Sequence, residues 1–167
     1  MNKKESGMLG FSRYVFPDIM GMNRLRKARF FIFGVTQKKL GELTGVGSTI
    51  CAIENGLNPS NEMKRKIAKS LRLDIDWLFP DDPSIAKSEG MKGLFKELKK
   101  MGLDPYYQIE KSCFLWKIKE KRTVAKSDLR KNKLAFKGVE RMIQELEREG
   151  LIRIKKHKRG KKFIEAL

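Results

Sequence analysis

The chain has 167 residues, with 38 lysines and arginines against 20 aspartates and glutamates, so its formal net charge is +18. Such a charge favours a polyanionic partner, and the length suits two small domains better than one large one. The longest apolar run, residues 30 to 35, is far shorter than the roughly 20 residues that span a bilayer, and the amino terminus lacks the apolar core of a secretory signal. We therefore expect a cytoplasmic protein with no membrane partner.

Cysteine and histidine content predicts no cofactor. Cys51 and Cys113 are far apart in the sequence, and His157 is the single histidine. This spacing indicates neither a disulfide framework nor a clustered metal site. We expect both cysteines to be small apolar packing residues and no metal to be bound.

The chain begins with an extension and a first helix. Residues 1–22 form an N-terminal extension with scattered apolar side chains around Pro17. A helix is predicted from Asn23 to Phe33. Its three arginines, which are either exposed charges or phosphate contacts, are Arg24, Arg26 and Arg29.

The segment from Thr36 to Ser60 predicts two short helices joined by a glycine turn. Thr36 is a suitable N-cap for the first helix. Leu40 and Leu43 recur at helical spacing and predict its buried stripe, and Gly45 ends it.

The second helix of this pair has an outward face of small residues. Ile50 and Ile53 are predicted to be buried. The side chains predicted to face outward from the start of the helix are Ser48, Thr49 and Ala52. Small polar residues on such a face suit a helix that enters a DNA groove.

These residues resemble the helix-turn-helix family of phage Cro-type repressors, also called the XRE family. The resemblance covers residues 23–79 and extends to closing helices whose predicted core is Ile67, Ala68, Leu71, Leu73, Trp77, Leu78 and Phe79. It implies that Gln37 contacts a phosphate beside the groove and that Ser48, Thr49 and Ala52 meet base edges, although Ser48 and Thr49 are alternatively caps of their helix. We expect Glu54 and Asn55 to fix the helix end and the following loop rather than to contact bases. The chain departs from the family pattern by a turn one residue shorter after Val46, and by Gly41 where the family prefers alanine.

A polar stretch with two prolines follows, and residues 80–91 are predicted to be a linker. Residues 1–91 hold 15 basic against 10 acidic residues, whereas residues 92–167 hold 23 against 10. The second predicted domain, residues 92–167, is therefore the more basic.

The carboxy-terminal part predicts helix, strand, two helices and a hairpin. A short helix is expected from Phe114 to Lys119, a strand from Arg122 to Val124 and a helix beginning at Ser127. A further helix is expected from Ala135 to Glu149, with an apolar face of Val139, Met142, Ile143 and Leu146. A β-hairpin turning at Gly160 should bury Ile152, Ile154 and Phe163.

This order resembles the winged helix-turn-helix fold over residues 106–167. The resemblance implies that the third helix enters the major groove with Lys133, Lys137, Arg141 and Gln144. The hairpin would be the wing, and from Arg153 to Lys162 it has seven basic residues and no acid. Those cations suit phosphates and are Arg153, Lys155, Lys156, Lys158, Arg159, Lys161 and Lys162. Against this, Glu140, Glu145, Glu147 and Glu149 put negative charge on the same third helix.

The predicted fold is mainly α, a helix-turn-helix bundle linked to an α+β winged-helix domain. The predicted function is sequence-specific binding of double-stranded DNA in transcriptional regulation, without enzymatic activity, so we expect the protein to be associated with the nucleoid. The resemblance to the XRE family also implies a possible homodimer. An alternative is an accessory DNA-binding protein of replication, partition or a mobile element. The carboxy-terminal domain binding RNA or protein is a further alternative. A nuclease or recombinase is disfavoured because the acids are scattered among lysines.

Overall fold

A computed structural model of the chain describes residues 22–121, 123–125, 136–156 and 160–167. The chain divides into two compact units, Met1–Ile109 and Glu110–Leu167. It is mainly helical, as predicted. The N-terminal extension lies outside the described residues except for Met22, and so does the start of the helix predicted at Ser127.

The first unit is built from short helices. Its elements are α1 (Arg24–Ala28, continued by a π-helical turn, Arg29–Phe33), α2 (Gln37–Thr44), α3 (Thr49–Glu54), α4 (Asn61–Leu71), α5 (Ile75–Leu78), α6 (Pro83–Ser88), α7 (Lys92–Lys100) and the start of α8 (Pro105–Lys121). Side-chain oxygens cap several of them, including Asn23 on α1 and Thr36 on α2, as the residue types predict.

The core of this unit agrees with the predicted pattern at most positions. Ile50, Ile53 and all the predicted residues of the closing helices are buried except Phe79, which is half-buried. The prediction for Leu43 is wrong, because its side chain is 51% exposed. The buried face of α2 contains Leu40, Gly41 and Thr44, and Leu43 lies about 100° around the helix from Thr44.

The segment predicted to be a linker folds onto α1. Residues 83–88 form α6, and Ala86 is buried. The Lys27 ammonium donates hydrogen bonds of 2.6 Å to the carbonyl oxygens of Ala86 and Gly90, and burial lowers the pKa of this lysine. Arg24 donates two hydrogen bonds, of 2.8 and 2.9 Å, to the carboxylate of Glu89. The structure therefore separates its two units after Ile109 rather than at residues 80–91.

The second unit combines helices with a small sheet. It contains most of α8, then β1 (Thr123–Ala125), α9 (Phe136–Arg148), β2 (Ile152–Lys156) and β3 (Lys162–Ala166). Helix α8 is much longer than the helix predicted from Phe114. The described strands form an antiparallel sheet in the order β1-β3-β2.

The hairpin forms as predicted, but its second strand has a different phase. The register aligns Ile164 with both Val124 and Ile154, and Ile164 is fully buried. Phe163 lies opposite Lys155 on the other face and is only half-buried. The predicted burial is therefore confirmed for Ile152, whereas Ile154 and Phe163 are only half-buried. Phe163 lies on the face opposite to Ile164, because alternate residues of a strand point to opposite faces.

The two cysteines have different environments. Cys113 is buried, and burial raises the pKa of its thiol to about 12. Cys51 is exposed on α3, so its predicted packing role is wrong. Within the described residues, no group of three metal-ligating side chains is close enough to hold an ion. The helices of this same part of the chain are all too short or too polar to cross a bilayer.

Candidate nucleic-acid interface

The outer face of α3 is small and uncharged. Ser48 and Ala52 are exposed, and Thr49 is half-buried. Ser48 precedes the helix without a capping hydrogen bond from its side chain, so its hydroxyl is not used in the cap. Ile50 and Ile53 hold the opposite face of the helix in the core.

A close backbone contact sets the turn before α3. The amide groups of Val46 and Gly47 both donate to the carbonyl oxygen of Gly41, at 3.1 and 3.2 Å. A Cβ at position 41 would lie 2.8 Å from the carbonyl carbon of Gly47 and closer still to its oxygen. The short turn therefore requires glycine at position 41, where the resembled family prefers alanine.

A buried ion pair connects α1 with the end of α3 and the start of α2. Arg29 donates hydrogen bonds of 2.5 and 2.9 Å to the carboxylate of Glu54, which is buried. The side-chain amide of Gln37 donates to the same carboxylate at 2.8 Å. An amide nitrogen has two hydrogens, so Gln37 keeps one donor for another partner.

The first-helix arginines have internal contacts. Arg29 is buried in its pair with Glu54, and its guanidinium lies 4.2 Å from the ring centroid of Phe30. Arg24 is held by Glu89 and donates to the carbonyl oxygen of Trp77 at 2.6 Å. The sequence predicts that Arg24 and Arg29 are either exposed charges or phosphate contacts. The structure supports neither alternative, because both side chains are used in contacts within the protein.

Helix α9 places two of its four predicted groove residues on an exposed face. Arg141 and Gln144 are exposed, and Arg141 pairs with Glu145 one turn later at 2.9 Å. Lys137 belongs to the first turn of α9, and Lys133 lies outside the described residues. The predicted apolar stripe is confirmed at Met142, Ile143 and Leu146, which are buried.

The glutamates of α9 have a partner that the sequence pattern did not reveal. Lys111 on α8 lies 2.7 Å from the carboxylate of Glu149 and 3.6 Å from that of Glu145. Its ammonium offsets part of the negative charge that these residues place on α9. Only the folded structure identifies these two ion pairs, because Glu145 and Glu149 follow Lys111 by 34 and 38 residues in the sequence.

The hairpin contains a carboxylate among its cations. Arg153 and Lys155 each approach the carboxylate of Glu165 at 2.7 Å, and their bonds lower its pKa. Arg153 lies directly opposite Glu165 in the register. The run from Arg153 to Lys162 contains no acidic residue. The pairing of β2 with β3 nevertheless brings Glu165, three residues after the end of this run, next to its cations.

Three other cations in the described part of the hairpin form no ion pair there. Lys156 and Lys162 lie directly opposite one another, and both are exposed, as is Lys161. Like charges in direct register repel, so an anion between them would stabilise the pair. Lys158 and Arg159 lie outside the described residues.

Comparison with known proteins yields no match to any family model, curated protein or solved structure.

Proposed function

We propose that the chain is a sequence-specific double-stranded DNA-binding protein of the Cro-type helix-turn-helix class, acting as a transcriptional regulator. The observation that carries the proposal is α3, an anchored helix whose outward face is small and uncharged. A short helix with such a face can approach base edges closely in the major groove. The formal charge of +18 supplies the attraction to phosphates.

In the first unit, α3 would make the base contacts. The hydroxyl of Ser48 can donate or accept a hydrogen bond at a base edge, and the methyl group of Ala52 suits the methyl group of thymine. Gln37, oriented by its bond to Glu54, would give its second amide hydrogen to a phosphate. Base contacts would set the sequence, and phosphate contacts would set the position of the helix.

The second unit would act as a winged-helix module. Helix α9 would present Lys137, Arg141 and Gln144 to a groove, and the hairpin cations would lie along the phosphate backbone. Lys111 supports this role because it offsets the charges of Glu145 and Glu149, which would otherwise repel phosphates.

The test is a change of specificity. We expect Ala52→Arg to change the sequence recovered when the full chain selects duplexes from a random pool, since an arginine there would reach guanine. Ser70→Arg, at an exposed position on α4, adds the same charge away from α3 and should leave the selected sequence unchanged. If the parent, Ala52→Arg and Ser70→Arg all select the same sequence, α3 is rejected as the recognition helix.

Genome-wide mapping of bound DNA tests the regulatory role. We expect sites beside promoters, with paired half-sites if the chain binds as a homodimer. Sites confined to repeats at a replication origin would instead favour the accessory role in replication.

A further inference from the structure

Helix α7 has an exposed basic ridge. Lys92, Lys96 and Lys99 recur at spacings of four and three residues, so they lie on one side of the helix. All three are exposed, and within the described part of the chain none of them forms an ion pair. Lys100 differs, because it pairs with Glu97 at 3.3 Å.

An aromatic pair lies beside this ridge. Phe95 on α7 and Tyr106 in the first turn of α8 meet edge to face, with ring centroids 5.1 Å apart and planes at 76°. Phe95 is half-buried, whereas Tyr106 is 52% exposed. Lys92 and Lys99 lie three and four residues from Phe95, so both are its neighbours on the surface of α7.

The position of Tyr106 is fixed by local structure. Asp104 accepts hydrogen bonds from the backbone amides of Tyr106 and Tyr107, at 2.9 and 3.3 Å. Gly102, with a φ of +74°, turns the chain between the two helices. These bonds fix the backbone at Tyr106, and the edge-to-face contact with Phe95 orients its ring, so stacking on the ring would cost little conformational entropy.

We infer that this surface, the α7 platform (Lys92, Phe95, Lys96, Lys99 and Tyr106), binds single-stranded nucleic acid. The three lysines would contact successive phosphates, and an unpaired base would stack on the exposed ring of Tyr106. Aromatic rings beside a line of cations are the usual means of binding single strands without sequence preference. In a duplex the bases are already stacked, so the platform would contact only its phosphates.

Charge and shape favour nucleic acid over a membrane surface. Leu94 and Leu98, the two leucines of α7, are fully buried in the core, and Phe95 is half-buried against Tyr106. The exposed side of α7 is therefore mainly cationic and lacks the broad apolar face of amphipathic helices that bind membranes. The inference is independent of the α3 proposal, because it uses a different surface and a different form of nucleic acid.

The experiment compares variants of the full chain in binding labelled oligothymidylate, a selected duplex, and vesicles with and without phosphatidylserine. Tyr106→Leu keeps an apolar side chain but removes the ring, and we expect it to weaken oligothymidylate binding by about tenfold. Tyr106→Phe keeps the ring and should bind like the parent. Duplex affinity should be nearly unchanged in both variants.

The lysines are tested by the salt dependence of binding. The slope to compare is that of the logarithm of the binding constant for oligothymidylate against the logarithm of the salt concentration. The double variant Lys96→Ala with Lys99→Ala should lower the magnitude of this slope by about 0.7 per lost phosphate contact. The control double variant, Arg65→Ala with Lys69→Ala, removes the same charge from exposed positions on α4 and should lower the slope less.

The inference is overturned if Tyr106→Leu binds oligothymidylate as tightly as the parent, or if the α4 variant loses as much slope as the α7 variant. It is also overturned if the Tyr106 and lysine variants lose only binding to anionic vesicles. Unchanged thermal unfolding of each variant shows that a lost affinity is not a lost fold. Failure of the α3 proposal would appear separately, as an unchanged selected duplex sequence in Ala52→Arg.

Discussion

At position 41 there is no room for a methyl group. Because a Cβ there would overlap the carbonyl group of Gly47, we expect Gly41→Ala to lower the free energy of unfolding by about 1–3 kcal/mol. This loss should appear although alanine ordinarily stabilises a helix by about 1 kcal/mol relative to glycine. Denaturant unfolding measures it.

The matched control is Lys38→Ala, at an exposed position of the same helix. It should change the free energy of unfolding by no more than about 0.5 kcal/mol. A Gly41→Ala variant as stable as the parent would contradict the close contact between α2 and the turn. The contact bears on the proposed function because the turn sets the direction in which α3 leaves α2.

At the scale of the element, if the hairpin contacts DNA as proposed, Glu165 would compete with phosphate for Arg153 and Lys155. Glu165→Gln should strengthen binding to duplexes of any sequence, because Arg153 and Lys155 would then be available to phosphates. Bonds from these residues hold the pKa of Glu165 below its ordinary value of 4.5, so the carboxylate is ionised at and above that pH. The difference from the parent should therefore persist at neutral pH and shrink only as the pH falls through the lowered pKa.

The control for this prediction is Glu62→Gln, which makes the same change of charge on α4. Fluorescence anisotropy with an unselected duplex should show the larger gain for Glu165→Gln. Equal gains would mean that only net charge matters, and no gain would mean that the hairpin does not contact the backbone.

Over the whole molecule, both units are basic. Residues 1–109 hold 19 basic against 12 acidic residues, and residues 110–167 hold 19 against 8. If both units bind one duplex, binding of the second unit becomes intramolecular and raises the affinity by a factor of roughly 10²–10⁴ over that of one unit alone.

Duplex length provides the test. A duplex of about 10 base pairs accommodates one module, whereas about 40 base pairs accommodate both. We expect the affinity per site to rise with length over this range and then to level off. An affinity that grows only in proportion to the number of sites would mean that one unit alone binds DNA.

Local patterns were enough to predict many elements of this protein. Caps, glycine stops and apolar periodicity identified α2, α3, α4, α9 and the hairpin, because these signals act between residues a few positions apart. The same periodicity put Ser48 and Ala52 on the exposed side of α3. The duplex-binding role itself stays a prediction, motivated by resemblance and charge.

The tertiary structure decided what local patterns leave open. It buried Ile164 instead of Phe163, exposed Leu43, folded residues 80–91 onto α1, and paired Lys111 and Glu165 with residues from other elements. Periodicity shows that a helix or strand has two faces, but the choice of the buried face depends on what packs against it. Ion pairs likewise depend on segments brought together only by folding, so the charges available to a partner could not be deduced from their order in the chain.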